Sequence, residues 1–263
     1  MSEVLRVSRD RALARVTLSR PGVHNAFNAE LIAALHDAFV ELAEEPPAAL
    51  RVVVLAGDGP SFCAGADVAW QRAALELSMA ENEADAGRLQ AMLLAIDECP
   101  VPVVARVHGA ALGGGMGLCA VADVVLAAAG TGFGFTETKL GLMPAVISPF
   151  VLAKIGESHA RALFPTGQRF DAARALQIGL VHEVLPDTAA LDARVETLVA
   201  ELLSAGPTAA RGAKAAIRDQ RGLPLADARA MVVKRAARQR VSTEGQEGLT
   251  AFLDKHPPSW RGD

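Results

Sequence analysis

The seven residues from Val101 to Val107 (VPVVARV) are apolar apart from Arg106 and mostly β-branched, with Pro102 near the start. A strand with one wet face alternates polar and apolar residues. A run without that alternation is buried on both faces, which happens chiefly in parallel sheets covered by helices. This run therefore commits the chain to an α/β architecture. The residues after it are equally restrictive: His108-Gly109 ends the strand, and Gly113, Gly114 and Gly115 lead into an apolar helix from Met116 to Ala122, after which a second β-branched strand begins at Val124. Three glycines let the backbone turn tightly and present bare N–H groups at a helix start, an end that favours negative charge. That charge is either a phosphate or the oxyanion that develops on a carbonyl under attack. The same glycines also suit a plain strand-to-helix connection.

The remaining elements fall on either side of this stretch. Val4 to Val7 and Leu13 to Leu18 flank Ser8-Arg9-Asp10-Arg11 and read as a hairpin. Asn28 is placed as the N-cap of a helix that carries Leu31, Ile32, Leu35, Phe39 and Leu42 at helical spacing up to Pro46-Pro47. A buried strand, Arg51 to Ala56, then runs into a second Gly-rich loop, Gly57 to Asp67 (GDGPSFCAGAD), at the strand end where α/β proteins place their ligands. Val68 to Asp85 has weak periodicity and reads as a cover over the site, before Leu89, Met92, Leu93 and Ile96 resume a helical stripe. Helices are expected at Ile147–Ile155, Ser158–Phe164 and Asp171–Gln177, with a short strand at Leu180–Val184. From Thr188 onward the chain reads as helical, giving a core domain over residues 1–195 and a helical region over 196–263.

Composition excludes several classes. A net charge of −4 argues against nucleic acid as the main partner. Even so, Arg211 to Arg240 holds nine basic residues against two acidic ones, either a solvated helix face or a surface for a polyanion. No apolar run is long enough to cross a bilayer and the N-terminus lacks a signal-peptide core, so a cytoplasmic protein without membrane partners is expected. Cys63, Cys99 and Cys119 lack CxxC or His-rich spacing; reduced, mostly buried thiols are expected, and no metal site.

Among residues able to do chemistry, Glu137 closes a short Gly- and Phe-rich extended piece, a setting that desolvates a carboxylate and raises its pKa into the acid/base range. Cys63 with His24 or His108 has no spacing that supports a thiol nucleophile, and His108 reads as a packed strand-end residue. Neither Gly-rich loop matches a nucleotide-binding fingerprint.

Six segments in one order carry a resemblance: Arg20-Pro21 with Asn25-Ala26, SFCAGAD at 61–67, VHGAALGGG at 107–115, Ala122-Asp123-Val124, FGFTE at 133–137 and Gly179-Leu180-Val181. Together they resemble the crotonase, or enoyl-CoA hydratase/isomerase, superfamily. The resemblance implies an α/β fold of ββα spiral turns with a C-terminal helical region used for trimerisation. It implies a homotrimer or dimer of trimers acting on an acyl-CoA thioester, with no separate cofactor because coenzyme A enters as part of the substrate. By position, backbone N–H groups of Ala66 and Gly114 form the hole for the thioester oxygen, and Glu137 matches one of two catalytic glutamates. Coenzyme A contacts carry over to Val23, His24 and Ala26, to Ala64, Gly65, Asp67 and Val68, and to the C-terminal Phe252 and Lys255. The second glutamate is expected two residues beyond Gly115, where this chain has Gly117. GGGMG together with TETKLGLMPAVISPF looks most like bacterial hydratases of branched glutaconyl-CoA substrates. Hydration of a branched or glutaconyl-type enoyl-CoA by one glutamate is thus the implied activity, and double-bond isomerisation by the same glutamate the alternative.

Overall fold

The structure, a computed structural model, describes residues 3–261. It opens with the expected hairpin, β1 (Leu5–Asp10) and β2 (Leu13–Leu18), paired antiparallel with Leu5 opposite Leu18. The connection is Arg11-Ala12 and not Ser8–Arg11: Arg11 takes φ 51°, a two-residue turn suffices, and Ser8, Arg9 and Asp10 stay in the ladder. The helix α1 (Ala29–Ala43) begins where Asn28 accepts a hydrogen bond from Leu31 N–H at 2.9 Å, and it buries the five residues of the predicted stripe.

β3 (Val52–Gly57) is followed by α2 (Val68–Ala74) and α3 (Met79–Asp97). The stretch read as a cover over the site is therefore largely helical. Its weak periodicity has a cause in solvation, since the first turns of α3 bury nothing until Met92, and the helix starts through a capping box between Ser78 and Glu81. Then come β4 (Val103–Val107), β5 (Ala110–Leu112), α4 (Gly114–Val121), β6 (Val124–Ala128) and β7 (Gly132–Gly134). After them α5 (Ser148–Leu163) is broken at Gly156, where φ is 74°, into two helical pieces, as the two expected helices Ile147–Ile155 and Ser158–Phe164 require. β8 (Arg169–Asp171), α6 (Ala172–Gln177), β9 (Glu183–Leu185) and α7 (Thr188–Ser204) complete the core. The last strand begins three residues later than expected. Leu180 and Val181 turn their N–H groups back to Ala175 O at the end of α6, which removes them from any ladder.

The large sheet has the order β1-β2-β3-β4-β6-β9, parallel from β2 onward, and a small sheet has the order β5-β7-β8. Chain order reveals a repeat: a strand in the large sheet, a strand in the small one, then a helix, as in β4-β5-α4 and β6-β7-α5. Cys63, bridged to Ala111 at the edge of the small sheet, makes an incomplete turn of the same kind after β3. Alternate residues explain why the central strands look apolar throughout. Val53, Leu55, Val103, Ala105 and Val125 face the core under α1, α3 and α4, while Val52, Val54, Val104 and Leu126 face Leu191, Val195 and Val199 of α7. A continuous α7 therefore passes through the 195/196 division, and its buried stripe belongs to the sheet.

Beyond it, α8 (Pro207–Arg218), α9 (Leu225–Val241) and α10 (Thr243–Leu253) form the helical tail. Several of its basic residues are committed to docking. Lys214 Nζ pairs with Asp123 at 2.6 Å and donates to Val101 O, Arg211 donates to Glu45 O and Leu50 O, and Arg221 pairs with Asp97 at 2.9 Å. Arg218 and Arg235 both hold Asp219. No helix among the described residues is long and apolar enough to cross a membrane.

Candidate active site

The two Gly-rich loops meet at the C-terminal ends of β3 and β4, and beside them lies a cavity of about 530 Å³. Gly65, Ala66, Gly113, Gly114 and Glu137 all line it, so the fold joins Ala66 and Glu137 in one site across 71 positions of sequence. Two backbone conformations make this approach possible. Gly65 has φ 96° and Gly113 has φ 49°, and a Cβ on Gly65 would stand 3.1 Å from Leu112 O.

Ala66 forms an isolated parallel bridge with Phe27, in which Phe27 N–H donates to Gly65 O and Asp67 N–H donates to Phe27 O at 2.8 Å. In such a bridge the residue between the two bonds turns its own N–H to the other side. Gly114 is the first residue of α4, where a helical N–H has no acceptor within the helix. The ring of Phe27 fixes the spacing between the loops, since a Cβ on Gly114 would lie 2.5 Å from Phe27 Cε2. Phe27 thus holds one loop through its backbone and packs on the other through its ring. Sequence reading did not single it out; the only local sign is an aromatic residue one position before the α1 cap.

Glu137 is the second residue of a short 3-10 turn, Thr136–Leu140, one residue after β7. Its carboxylate faces Gly113, whose Cβ position is 3.5 Å from Oε1, while Oε2 is buried with no hydrogen-bond partner. Burial pushes this carboxyl above the usual carboxylate range, opposed only by the residue's own backbone N–H. The second acid in the wall, Asp85, is ion-paired with Arg88 at 2.7 Å. A side chain at Gly117 would require Ile147 to shift, because a Cβ there would be 2.7 Å from Cγ2 of Ile147. Ile147, buried and lining the cavity, fills the place with hydrocarbon.

The segments expected to hold coenzyme A lie side by side. Ala64 N–H donates to His24 O at 2.9 Å, His24 Nδ1 meets Ser61 Oγ at 3.0 Å, Val23 is exposed beside them, and Ala26 is buried beneath. Val68 is 75% exposed at the start of α2. Asp67 is differently engaged: Oδ2 accepts from Arg20 at 2.8 Å and Oδ1 from Ala69 N–H, and these bonds, the Arg20 one first, hold its carboxyl below the usual range. Phe252, on α10, is 79% exposed, and neither it nor Lys255 lines the cavity.

Other chemistry finds no support. Cys63, Cys99 and Cys119 are free and buried, and burial pushes the Cys63 thiol up to about 12, away from any nucleophile. His108 accepts from Arg106 at Nδ1 and donates from Nε2 to Gly59 O, both at 2.8 Å, tying β4 to the second loop. Among the described residues no group of three or more His, Cys, Asp or Glu side chains is placed to hold a metal ion.

Known proteins are similar to this chain over nearly their whole length. A solved enoyl-CoA hydratase from Shewanella pealeana superposes with a TM-score of 0.92 at 34% identity, covering 98% of this chain and 96% of that one. Pseudomonas aeruginosa AtuE superposes with a TM-score of 0.95 at 34% identity, covering 98% of this chain and 100% of that one. The Escherichia coli 2,3-dehydroadipyl-CoA hydratase is 31% identical over 263 residues, all of both chains. A family model described as enoyl-CoA hydratase/isomerase matches residues 8–263. Together with the two-sheet α/β architecture, these matches establish that the chain has the crotonase fold and belongs to the enoyl-CoA hydratase/isomerase family.

Proposed function

We propose that the protein adds water across the conjugated double bond of an enoyl-CoA thioester, with the thioester oxygen between the Ala66 and Gly114 N–H groups and Glu137 as the acid/base. The observation that carries this reading is the half-buried Glu137, whose Oε2 is buried without a partner and which lines the same cavity as both N–H donors. Hydration needs what such a group supplies. Glu137 takes a proton from water as the oxygen bonds to the β-carbon, negative charge moves onto the thioester oxygen, and the proton passes to the α-carbon as the enolate collapses. One well-aimed N–H at that oxygen is worth about 3 kcal/mol of transition-state stabilisation. Coenzyme A lies along Val23 to Ala26 and Ala64 to Val68. The apolar wall from Leu142 to Ile147 suits a branched acyl group, whereas the residues lining the cavity include no Lys, Arg or His to meet the carboxylate of a glutaconyl-type one. The exposed apolar residues Val233, Val241 and Phe252 support a trimer or a pair of trimers.

One observation favours double-bond isomerisation as the second reading. With Ile147 covering Gly117, the family's second carboxylate is missing, and one carboxylate suffices to remove a proton and return it elsewhere. Mass analysis after incubation with crotonyl-CoA, a 3-enoyl-CoA and 3-methylglutaconyl-CoA separates the two. Hydration is expected as a mass gain of one water; a product of unchanged mass with a moved double bond would replace it by isomerisation.

A further inference from the structure

Arg20 and Asp67 form an ion pair to which the proposed reaction gives no role. It is largely shielded, with the two side chains 16% and 12% exposed, and it is well made: Arg20 donates through one nitrogen to Asp67 Oδ2 at 2.8 Å and through another to Ala26 O. Those two acceptors bracket the Phe27–Ala66 bridge, one just before Phe27 and one just after Ala66. The guanidinium therefore ties together the two irregular segments whose contact decides where the Ala66 N–H points. Its own position is fixed from behind, since Arg20 N–H donates to Asn25 Oδ1 at 2.8 Å, and Asn25 Nδ2 donates to Asp58 O at 2.8 Å and to Ser61 O at 2.7 Å. Asn25 is fully buried with φ 56°, so this frame is costly to hold and has little room to shift. Asp67 completes the frame by capping α2 through Ala69 N–H.

We infer that the Arg20–Asp67 pair is a positioning device that aims the Ala66 N–H at the thioester oxygen. The Asp67 carboxylate then acts through the backbone, since each of its oxygens already accepts a hydrogen bond within the chain. This inference rests on the proposed role of Ala66. It also predicts a separation that plain stability would not produce: loss of the pair should lower kcat and the polarisation of a bound thioester while leaving thioester affinity in place.

The test uses the intact protein and a conjugated dienoyl-CoA, whose absorption moves to longer wavelength when its carbonyl is polarised by hydrogen bonds. The variants are Arg20→Gln, Asp67→Ser and Arg20→Lys. Serine keeps an acceptor for the α2 cap but is too short to reach Arg20, and lysine keeps the charge but lacks the fork that spans two acceptors. Expected results are a red shift in the wild type that is mostly lost in Arg20→Gln and Asp67→Ser, with kcat lower by about 10- to 100-fold. The dissociation constant of saturated butanoyl-CoA should stay within about twofold, and Arg20→Lys should be intermediate. Wild-type red shift and kcat in Arg20→Gln and Asp67→Ser would overturn the inference, as would a loss of butanoyl-CoA binding in proportion to the loss of red shift. A wild type that binds dienoyl-CoA without any red shift would instead remove the Ala66 reading beneath it.

Discussion

Burying Glu137 Oε2 without a partner costs the folded state stability whenever the carboxyl is ionised. Its folded pKa lies above the unfolded value of about 4.3, so its neutral form stabilises the protein fully below that value. The stabilisation is lost as the pH rises through the folded pKa. Glu137→Gln should therefore melt higher than the wild type at pH 7, and the difference should close as the pH approaches about 4, as read by calorimetry across that range. The same burial places the acid limb of the kcat/KM profile above the ordinary glutamate range. Gly117 makes the second prediction at this scale. Gly117→Ala pushes a methyl against Ile147 and should cost about 1–3 kcal/mol in urea unfolding, and Ile147→Ala in the same chain should recover part of it, a coupling that a double-mutant cycle measures. The sequence showed glycine at 117, where the resemblance led to the expectation of a second glutamate. It did not show what replaced it, because Ile147 lies 30 residues away and only the packing of α4 beneath it makes them neighbours.

Elements with local causes were legible in the sequence. The β4 strand, the glycines and α4 follow from composition alone, and α1 begins where Asn28 said it would. Asn28→Ala should cost about 1 kcal/mol by removing the acceptor for Leu31 N–H, measurable as a shift of the urea midpoint at unchanged slope. Elements whose limits are set by distant partners were not legible. β5 and β8 have three residues each and exist as strands only by pairing with β7, which of the three was the one read in the sequence as a short extended piece. The α3 helix extends thirteen residues ahead of its first buried side chain, held by its cap, so its periodicity starts late. Glu137 was visible as a desolvated acid from the phenylalanines around it. Phe27 was not, because its function depends on contacts with residues 66 and 114 together.

At the scale of the molecule, the sheet, α7 and the tail are linked by ion pairs that the sequence showed only as a basic composition. Asp123 is the hub: Oδ2 accepts from Val103 N–H at 2.7 Å and from Lys214 at 2.6 Å, joining the start of β4 to α8. Asp123→Ala leaves both donors without it and should destabilise the protein by about 2–4 kcal/mol, seen as a lower urea midpoint. The helical tail is in this way built onto the body that carries the site. The proposed chemistry stands on one carboxylate facing two N–H donors in a single cavity. Its most direct test is the rate of water addition to an enoyl-CoA by the wild type and by Glu137→Gln, with butanoyl-CoA affinity measured alongside. A rate lower by about 10³-fold in the variant with affinity retained is expected; water addition by Glu137→Gln at the wild-type rate would contradict the role given to that carboxylate.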